Sequence, residues 1–204
     1  MIKAVLFDLD GVLVDAVELH QRAFLDAVMP YRSISREEHM RTLNGLPTRK
    51  KLEKLGFSPE MIEKINKEKQ EITLPLIPQM IHPIPKVSHV IAAIKSFDIP
   101  FAVCSNSIRN TVELMLEAIE LDGHAFFISN EDVKHAKPDP EMYLTAITKM
   151  GLQPQDVLIV EDSPIGLEAA YKSGAQVCPI SNPYDITKVL EALYEYNYPL
   201  SRKR

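Results

Sequence analysis

The sequence predicts an α/β fold: a Rossmann-like, parallel five-stranded sheet with helices on both faces, plus a small all-helical domain inserted after the first strand. Three observations carry this reading. Short runs of branched and bulky apolar residues recur along the chain, with amphipathic segments between them. Those runs are apolar throughout instead of alternating, as strands covered on both faces are. And residues 16–83 carry helical patterns alone, so this block interrupts the α/β pattern directly after its opening strand. The implied organisation is an α/β core of residues 1–15 and 84–204 and a helical domain of residues 16–83.

Taken in order, the opening run from Ile2 to Phe7 is short and apolar and reads as a buried strand that ends in Asp8-Leu9-Asp10-Gly11. Leu19, Ala23, Phe24, Ala27 and Val28 then follow helical spacing until Pro30. Ser35-Arg36-Glu37-Glu38 is a capping box that opens a short helix through Leu43. Asn44-Gly45-Leu46-Pro47 is a turn, and a basic helix from Thr48 is closed by Gly56. Ser58 caps a further helix with Pro59 at its first position, running to about Leu74. Pro75, Pro78, Pro83 and Pro85 are expected to forbid any continuation, so this stretch reads as an exit linker. Beyond it, strands over residues 100–104, 125–128, 157–160 and 175–178 alternate with helices marked by Val87 and Ile94, Val112 and Leu116, Tyr143 and Ile147, Ile165 and Tyr171, and Val189 and Leu193.

The 204 residues have room for one good core and a small second domain. A net charge of −5 argues against nucleic acid as the main partner, because phosphate-backbone binding needs a basic face; the basic end at 201–204 is too short to reverse that. Cys104 and Cys178 each sit in an apolar run and read as small buried hydrophobes in a reducing compartment. An acidic pair stands where a signal peptide would be apolar, and no run reaches membrane-spanning length. The expectation is a cytoplasmic protein with no membrane partner, a monomer or weak dimer.

In an open parallel sheet, ligands bind beyond the carboxyl ends of the strands. Those ends carry Asp8 and Asp10, then Ser105-Asn106-Ser107, then Lys137-Pro138-Asp139-Pro140 between the third and fourth strands, then Glu161-Asp162-Ser163. Clustered carboxylates with other oxygen donors suit Mg²⁺ and not zinc, since no Cys/His set accompanies them. A lysine and a serine beside such a metal suit a phosphoryl group. Each piece also has a plainer reading: Lys137 as a solvated lysine, Ser107 and Ser163 as helix caps, Asp139 as a cap before Pro140, and Glu161 and Asp162 as a loop pair.

Asp8-Leu9-Asp10-Gly11-Val12-Leu13-Val14-Asp15, Cys104-Ser105-Asn106-Ser107, Lys137-Pro138-Asp139-Pro140 and Val160-Glu161-Asp162-Ser163-Pro164-Ile165-Gly166 together resemble, in order, the four signature motifs of the haloacid dehalogenase-like hydrolase superfamily. The resemblance extends over essentially the whole chain and is greatest to the branch of β-phosphoglucomutase and small sugar-phosphate phosphatases. It implies that Asp8 is the nucleophile that forms an aspartyl-phosphate, and that Asp10 is general acid and then base. It implies that Ser105 and Lys137 hold the transferring phosphoryl oxygens and that Asn106 lies against the substrate. The Mg²⁺ would be held by Asp8, the main-chain carbonyl of Asp10 and Asp162, with Glu161 a ligand or a partner of the ligands. Asp10 also separates the chemistries, because the dehalogenase branch lacks this second aspartate.

The helical insertion is, by the same resemblance, a cap that closes over the site and chooses the substrate, with residues 11–15 as its hinge. His20 on the first cap helix and Gly45 and Arg49 of the loop Gly45-Leu46-Pro47-Thr48-Arg49 are the implied substrate contacts. His20 could equally be a packed helix residue, and Arg49 part of a solvated basic face with Lys50, Lys51 and Lys54. The resemblance thus implies a Mg²⁺-dependent phosphatase of a small phosphorylated metabolite, a sugar or polyol phosphate. A sugar phosphomutase is the runner-up, disfavoured because the stretch Glu71-Ile72-Thr73-Leu74-Pro75-Leu76 has no lysine to hold a second phosphate and because Ser105-Asn106 looks more like the phosphatase members. A phospho-aspartate receiver module shares the acidic residues, hydroxyl and lysine around Mg²⁺, but the helical insertion and the position of Asp10 weigh against it. A catalytically idle interaction protein is disfavoured by the intact motif set.

Overall fold

The computed structural model describes residues 1–43 and 46–197; Gly45 and the basic end at 201–204 lie outside the described residues. The chain divides into two compact units, Met1–Asp15 together with the chain from Ile81 onward, and Ala16–Met80.

The first unit is built on five strands: β1 (Ala4–Phe7), β2 (Phe101–Cys104), β3 (Phe127–Ile128), β4 (Val157–Glu161) and β5 (Gln176–Pro179). All neighbours are parallel and the order is β3-β2-β1-β4-β5. The earliest strand is therefore the central one, with Val5 opposite Phe101 on one side and Leu158 on the other. The chain builds outward through β2 and β3, then crosses to build outward through β4 and β5. That reversal puts the crevice at the carboxyl ends of β1 and β4.

The second unit holds α1 (Val17–Val28), α2 (Arg36–Thr42), α3 (Thr48–Lys54) and α4 (Pro59–Met80). Ser35 caps α2 by accepting the Glu38 N–H at 3.0 Å, as its capping box requires. The apolar stripes of these helices meet in a core of Phe24, Val28, Leu43, Leu52, Ile62 and Ile65. One expectation fails here. Helix α4 does not stop near Leu74 but runs through Pro75 and Pro78 to Met80. Both prolines are exposed, three residues apart, so the Glu71 and Leu74 carbonyls they leave without an N–H lie on the solvent side. Leu76 and Ile77 between them are buried, and that packing outweighs the local penalty. The linker is accordingly shorter than the proline cluster implied.

The first unit continues with α5 (Pro85–Ser96), α6 (Arg109–Ala118), α7 (Glu141–Lys149), α8 (Pro164–Lys172) and α9 (Lys188–Asn197). Ala4, Leu6, Ala102, Cys104, Val157 and Ile159 line one face of the sheet and pack against Met142, Tyr143, Ala146 and Ile147 of α7 and Ala169 and Ala170 of α8. Their sequence neighbours point to the opposite face, where Phe7 and Phe101 meet edge to face at 6.1 Å. Strand β3 is only two residues long, although Ala125 still donates its N–H to the Phe101 carbonyl at 2.8 Å. Both cysteines are buried and unpaired. Among the described residues, no helix is long and apolar enough to cross a membrane.

The proline-bearing end of α4 makes a stability prediction. Pro75→Ala restores a helical N–H at an exposed position; with an intrinsic gain of about 3 kcal/mol set against about 1 kcal/mol of regained unfolded-state freedom, the net gain is about 1–2 kcal/mol. Urea unfolding measures it, and a lower midpoint for the variant would contradict the account.

Candidate functional site

Three strand ends and one loop meet around a single buried ammonium. Lys137, in the loop before α7, is 6% exposed. Its Nζ donates to Asp8 Oδ1 at the end of β1 (2.6 Å), to the Cys104 carbonyl at the end of β2 (2.8 Å) and to Glu161 Oε1, the last residue of β4 (2.6 Å). All three ammonium protons are thereby used. Burial alone would depress the lysine, but the charges of Asp8 and Glu161 and the hydrogen bonds to both outweigh it, so Lys137 is held firmly as the cation.

The carboxylates are held as deliberately. Glu161 is fully buried. Its Oε1 accepts from Lys137 and from the Tyr143 hydroxyl at 2.6 Å. Its Oε2 accepts from the Asp162 N–H at 3.1 Å and from the N–H and hydroxyl of Ser163, each at 3.3 Å. The seat is closed by Gly166, where a Cβ would overlap the Glu161 carboxylate. Gly11 plays the same part for Asp162: it has a φ of +87°, and a Cβ there would run into the Asp162 carboxylate. Asp8 is lifted well above the ordinary carboxylate range, first by burial and then by the charge of Glu161, with Lys137 opposing. Asp162 is raised to about 6, again by burial and then by Glu161.

Asp8, Glu161 and Asp162 thus cluster about one ammonium, with the charge of Asp10 close enough to raise Asp8 and Asp162 further, and the imbalance would suit a further cation. One oxygen each of Asp8, Glu161 and Asp162 lie within 4.8 Å of one another. Asp162 Oδ1 is buried with no hydrogen-bond partner. An orphaned carboxylate oxygen in an oxygen-only donor set is what a hard divalent cation such as Mg²⁺ would satisfy.

Of the residues singled out in the sequence, Asp8, Asp10, Ser105, Asn106, Lys137, Glu161 and Asp162 all lie at the carboxyl ends of β1, β2 and β4 or in the loop before α7. Ser105, 1% exposed, anchors its N–H on the Ile128 carbonyl at 2.9 Å, and its hydroxyl accepts the Ser107 N–H at 3.0 Å. Asn106 bonds the main chain of Lys137: its Nδ2 donates to the Lys137 carbonyl at 3.2 Å, and its Oδ1 accepts the Lys137 N–H at 3.0 Å. It braces the lysine's main chain. Ser107 is not the cap of α6, whose N-cap is Ile108; its hydroxyl donates to Asp10 Oδ2 at 3.1 Å. Sequence reasoning missed Ser107, Tyr143 and Gly166 as site residues. The repeated Ser-x-Ser after β2 was the available signal for the first; the tyrosine sits in an apolar helical stripe that gives no sign of a polar duty.

His20 and Arg49 belong to the helical unit. Arg49 is exposed and paired with Glu63, as part of a solvated face. His20 is half-buried, with Nδ1 3.2 Å from Nζ of Lys69. Lys69, on α4, is itself only 7% exposed. The helical unit therefore does carry an inward lysine, two residues before the stretch searched for one. Nearby, buried His39 has its ring nitrogens 3.1 Å from Gln21 Nε2 and 3.1 Å from Lys51 Nζ. Burial, and then the charge of Lys69, lower Lys51 to about 8.

The comparisons with known proteins agree with this geometry. The profile of the haloacid dehalogenase-like hydrolases matches residues 5–180. The chain belongs to that family. A phosphorylated carbohydrates phosphatase of Thermotoga maritima is 28% identical over 178 residues, covering 85% of this chain and 82% of that one. β-Phosphoglucomutase of Bacillus subtilis is 26% identical over 184 residues, covering 84% of this chain and 80% of its own. Among solved structures, CbbY from Rhodobacter sphaeroides in complex with phosphate superposes with a TM-score of 0.74 at 27% identity, covering 88% of this chain and 86% of that one.

Two predictions follow from these packing details. Gly166→Ala forces the Glu161 carboxylate off its seat and should cost about 1–3 kcal/mol by overpacking, together with a loss of about 10–100-fold in turnover; an unchanged unfolding midpoint and rate would show that the seat can relax. The folded chain releases the Lys51 proton near pH 8, whereas the unfolded chain holds it to an ordinary 10.5, so the unfolded state binds more protons in between and stability rises with pH. Discounted for partial exposure, the rise is about 1–2 kcal/mol between about pH 8 and about pH 10.5. Lys51→Met should flatten that slope in urea titrations; parallel slopes for variant and parent would refute it.

Proposed function

We propose that this hydrolase is a Mg²⁺-dependent phosphatase of a small phosphorylated metabolite, a sugar or polyol phosphate, working through an aspartyl-phosphate on Asp8. The observation that carries the reading is the pairing of Asp8 Oδ1 with the fully engaged Lys137 ammonium at the crevice, beside the orphaned oxygen of Asp162. Lys137 occupies one oxygen of Asp8, which orients the carboxylate and leaves the other oxygen to attack phosphorus. The Asp8–phosphorus bond forms as the bond to the leaving oxygen breaks, and Asp10 donates the proton that oxygen takes up. Asp10 then removes a proton from the water that hydrolyses the acyl phosphate, returning both carboxylates to their starting state. The Ser107 hydroxyl donates to Asp10 Oδ2 and so helps fix the orientation of that carboxyl for the transfer. The Ser105 hydroxyl is the donor for a phosphoryl oxygen, and the Lys137 ammonium, whose three protons are taken by the protein, acts on the phosphoryl group as a fixed positive charge.

The donor set fits a divalent cation held by Asp8, Asp162 and the main-chain carbonyl of Asp10. Bound there, it would offset the charge that otherwise keeps an anionic carboxylate from an anionic phosphate. Within the family, the named phosphatase of phosphorylated carbohydrates supports the substrate class. A sugar phosphomutase is retained as the second reading, because the helical unit buries Lys69 against His20 and a β-phosphoglucomutase is among the relatives.

A panel of sugar and polyol phosphates, assayed for released phosphate, tests the proposal. Turnover should require Mg²⁺, vanish with EDTA, and fall at least about a thousandfold in Asp8→Asn. Silence across the panel, or full activity in Asp8→Asn, would overturn it. Isomer formation that depends on a bisphosphate activator would select the mutase reading.

A further inference from the structure

The phenol of Tyr143 does something that core packing does not require. Tyr143 lies in the first turn of α7 and is fully buried. A phenylalanine would fill the same volume among Ala4, Leu6 and Met142 without bringing a polar atom into an apolar layer. The hydroxyl is instead aimed at Glu161 Oε1, 2.6 Å away, on the same oxygen that accepts from Lys137. The face of the ring lies 4.8 Å from the lysine Nζ. An O–H donated to a buried carboxylate is a charge-assisted bond, stronger than a neutral one.

Its effect follows from counting what Glu161 has left to give. Oε2 is taken by Asp162 N–H and by the N–H and hydroxyl of Ser163. Oε1 is taken by the ammonium and the phenol. Yet Glu161 lies in the same carboxylate group as Asp8 and Asp162, close enough to join them around a cation. We infer that Tyr143 is a positioning residue whose hydroxyl commits Glu161 to Lys137 and keeps it out of the coordination shell formed by Asp8 and Asp162. Without that hydroxyl, Oε1 keeps one donor and regains a lone pair. Glu161 then becomes a third carboxylate ligand, and the lysine loses part of the field that turns it toward Asp8. An added carboxylate favours Ca²⁺ over Mg²⁺, since the larger ion accepts more oxygen ligands in looser geometry.

The inference rests on the cation site proposed above, and the test separates the two. Ca²⁺ and Mg²⁺ binding are measured by isothermal titration calorimetry, with no phosphorylated compound present, for the parent, Tyr143→Phe, Glu161→Gln and the double variant. Tyr143→Phe should bind Ca²⁺ about 5–10-fold more tightly than the parent, with a smaller change for Mg²⁺. In the double variant that gain should disappear, a coupling that a double-mutant cycle reads directly. Turnover with Mg²⁺ should fall in Tyr143→Phe while KM changes little, because the disturbed lysine orients Asp8 and acts on charge that develops in the transition state. A lower unfolding midpoint with unchanged Ca²⁺ affinity would make Tyr143 a packing residue and overturn the inference, as would a gain that persists in the double variant. If the parent binds neither ion, the cation site itself fails, and this role for Tyr143 falls with it. Should Tyr143→Phe not fold, Glu161→Gln alone decides: a loss of Ca²⁺ affinity of a hundredfold or more would mean that Glu161 already ligates in the parent.

Discussion

Everything at the crevice depends on one desolvated cation. Taking an ammonium out of water costs several kcal/mol, and the Lys137 site recovers that cost only because three acceptors close on it at hydrogen-bonding distance. The acceptors come from the ends of β1, β2 and β4, so the lysine is also what allows adjacent strands to end in carboxylates without forcing each other apart. Its loop is pinned in turn by the Asn106 carboxamide, which bonds both the N–H and the carbonyl of Lys137. The geometry of the candidate site and its local stability are in this way the same set of contacts, and neither can be altered alone.

That arrangement is intentionally incomplete in charge. One ammonium does not neutralise Asp8, Asp10, Glu161 and Asp162, and the strand order makes the deficit unavoidable by setting β1 beside β4. The two glycines show how tightly the carboxylates are drawn in: Gly11 and Gly166 each give up a side chain so that an acid can lie against the backbone. That surplus negative charge is the electrostatic feature on which the proposed cation site rests, and the buried oxygen of Asp162 without a hydrogen-bond partner is part of it.

Much of this was legible in the sequence, for identifiable reasons. The three inner strands could be read because both faces of β1, β2 and β4 are buried, so their apolar runs are unbroken; the edge strands β3 and β5 are only partly covered and were read from shorter apolar runs. The acidic pairs, the hydroxyl and the lysine could be placed because each follows such a run directly. The order of the strands could not be read, since runs buried on both faces look alike wherever they sit. Helix α4 was cut short because a proline's local penalty shows in the sequence, whereas the burial of Leu76 and Ile77 that overrides it does not. The hydrogen bonds of Asn106 and Ser107 were hidden for a related reason: a short polar side chain beside a strand end can bond the backbone or a neighbouring carboxylate, and only its direction distinguishes them. The pairing of Arg49 with Glu63 joins two residues of different helices, which spacing alone does not show.

The central position of β1 has a consequence for how the molecule comes into being. Its neighbours are drawn from residues around 101 and around 158, so the strand that ends in Asp8 is synthesised well before either and stays unpaired at least until β2 has been made. The helical unit, by contrast, closes its core from residues that emerge within one short interval. Contacts between residues distant along the chain are slow to form, and unpaired strands invite wrong partners. The helical segment that separates β1 from its partners in the sequence draws its core from local contacts alone, so its closure does not wait for the sheet.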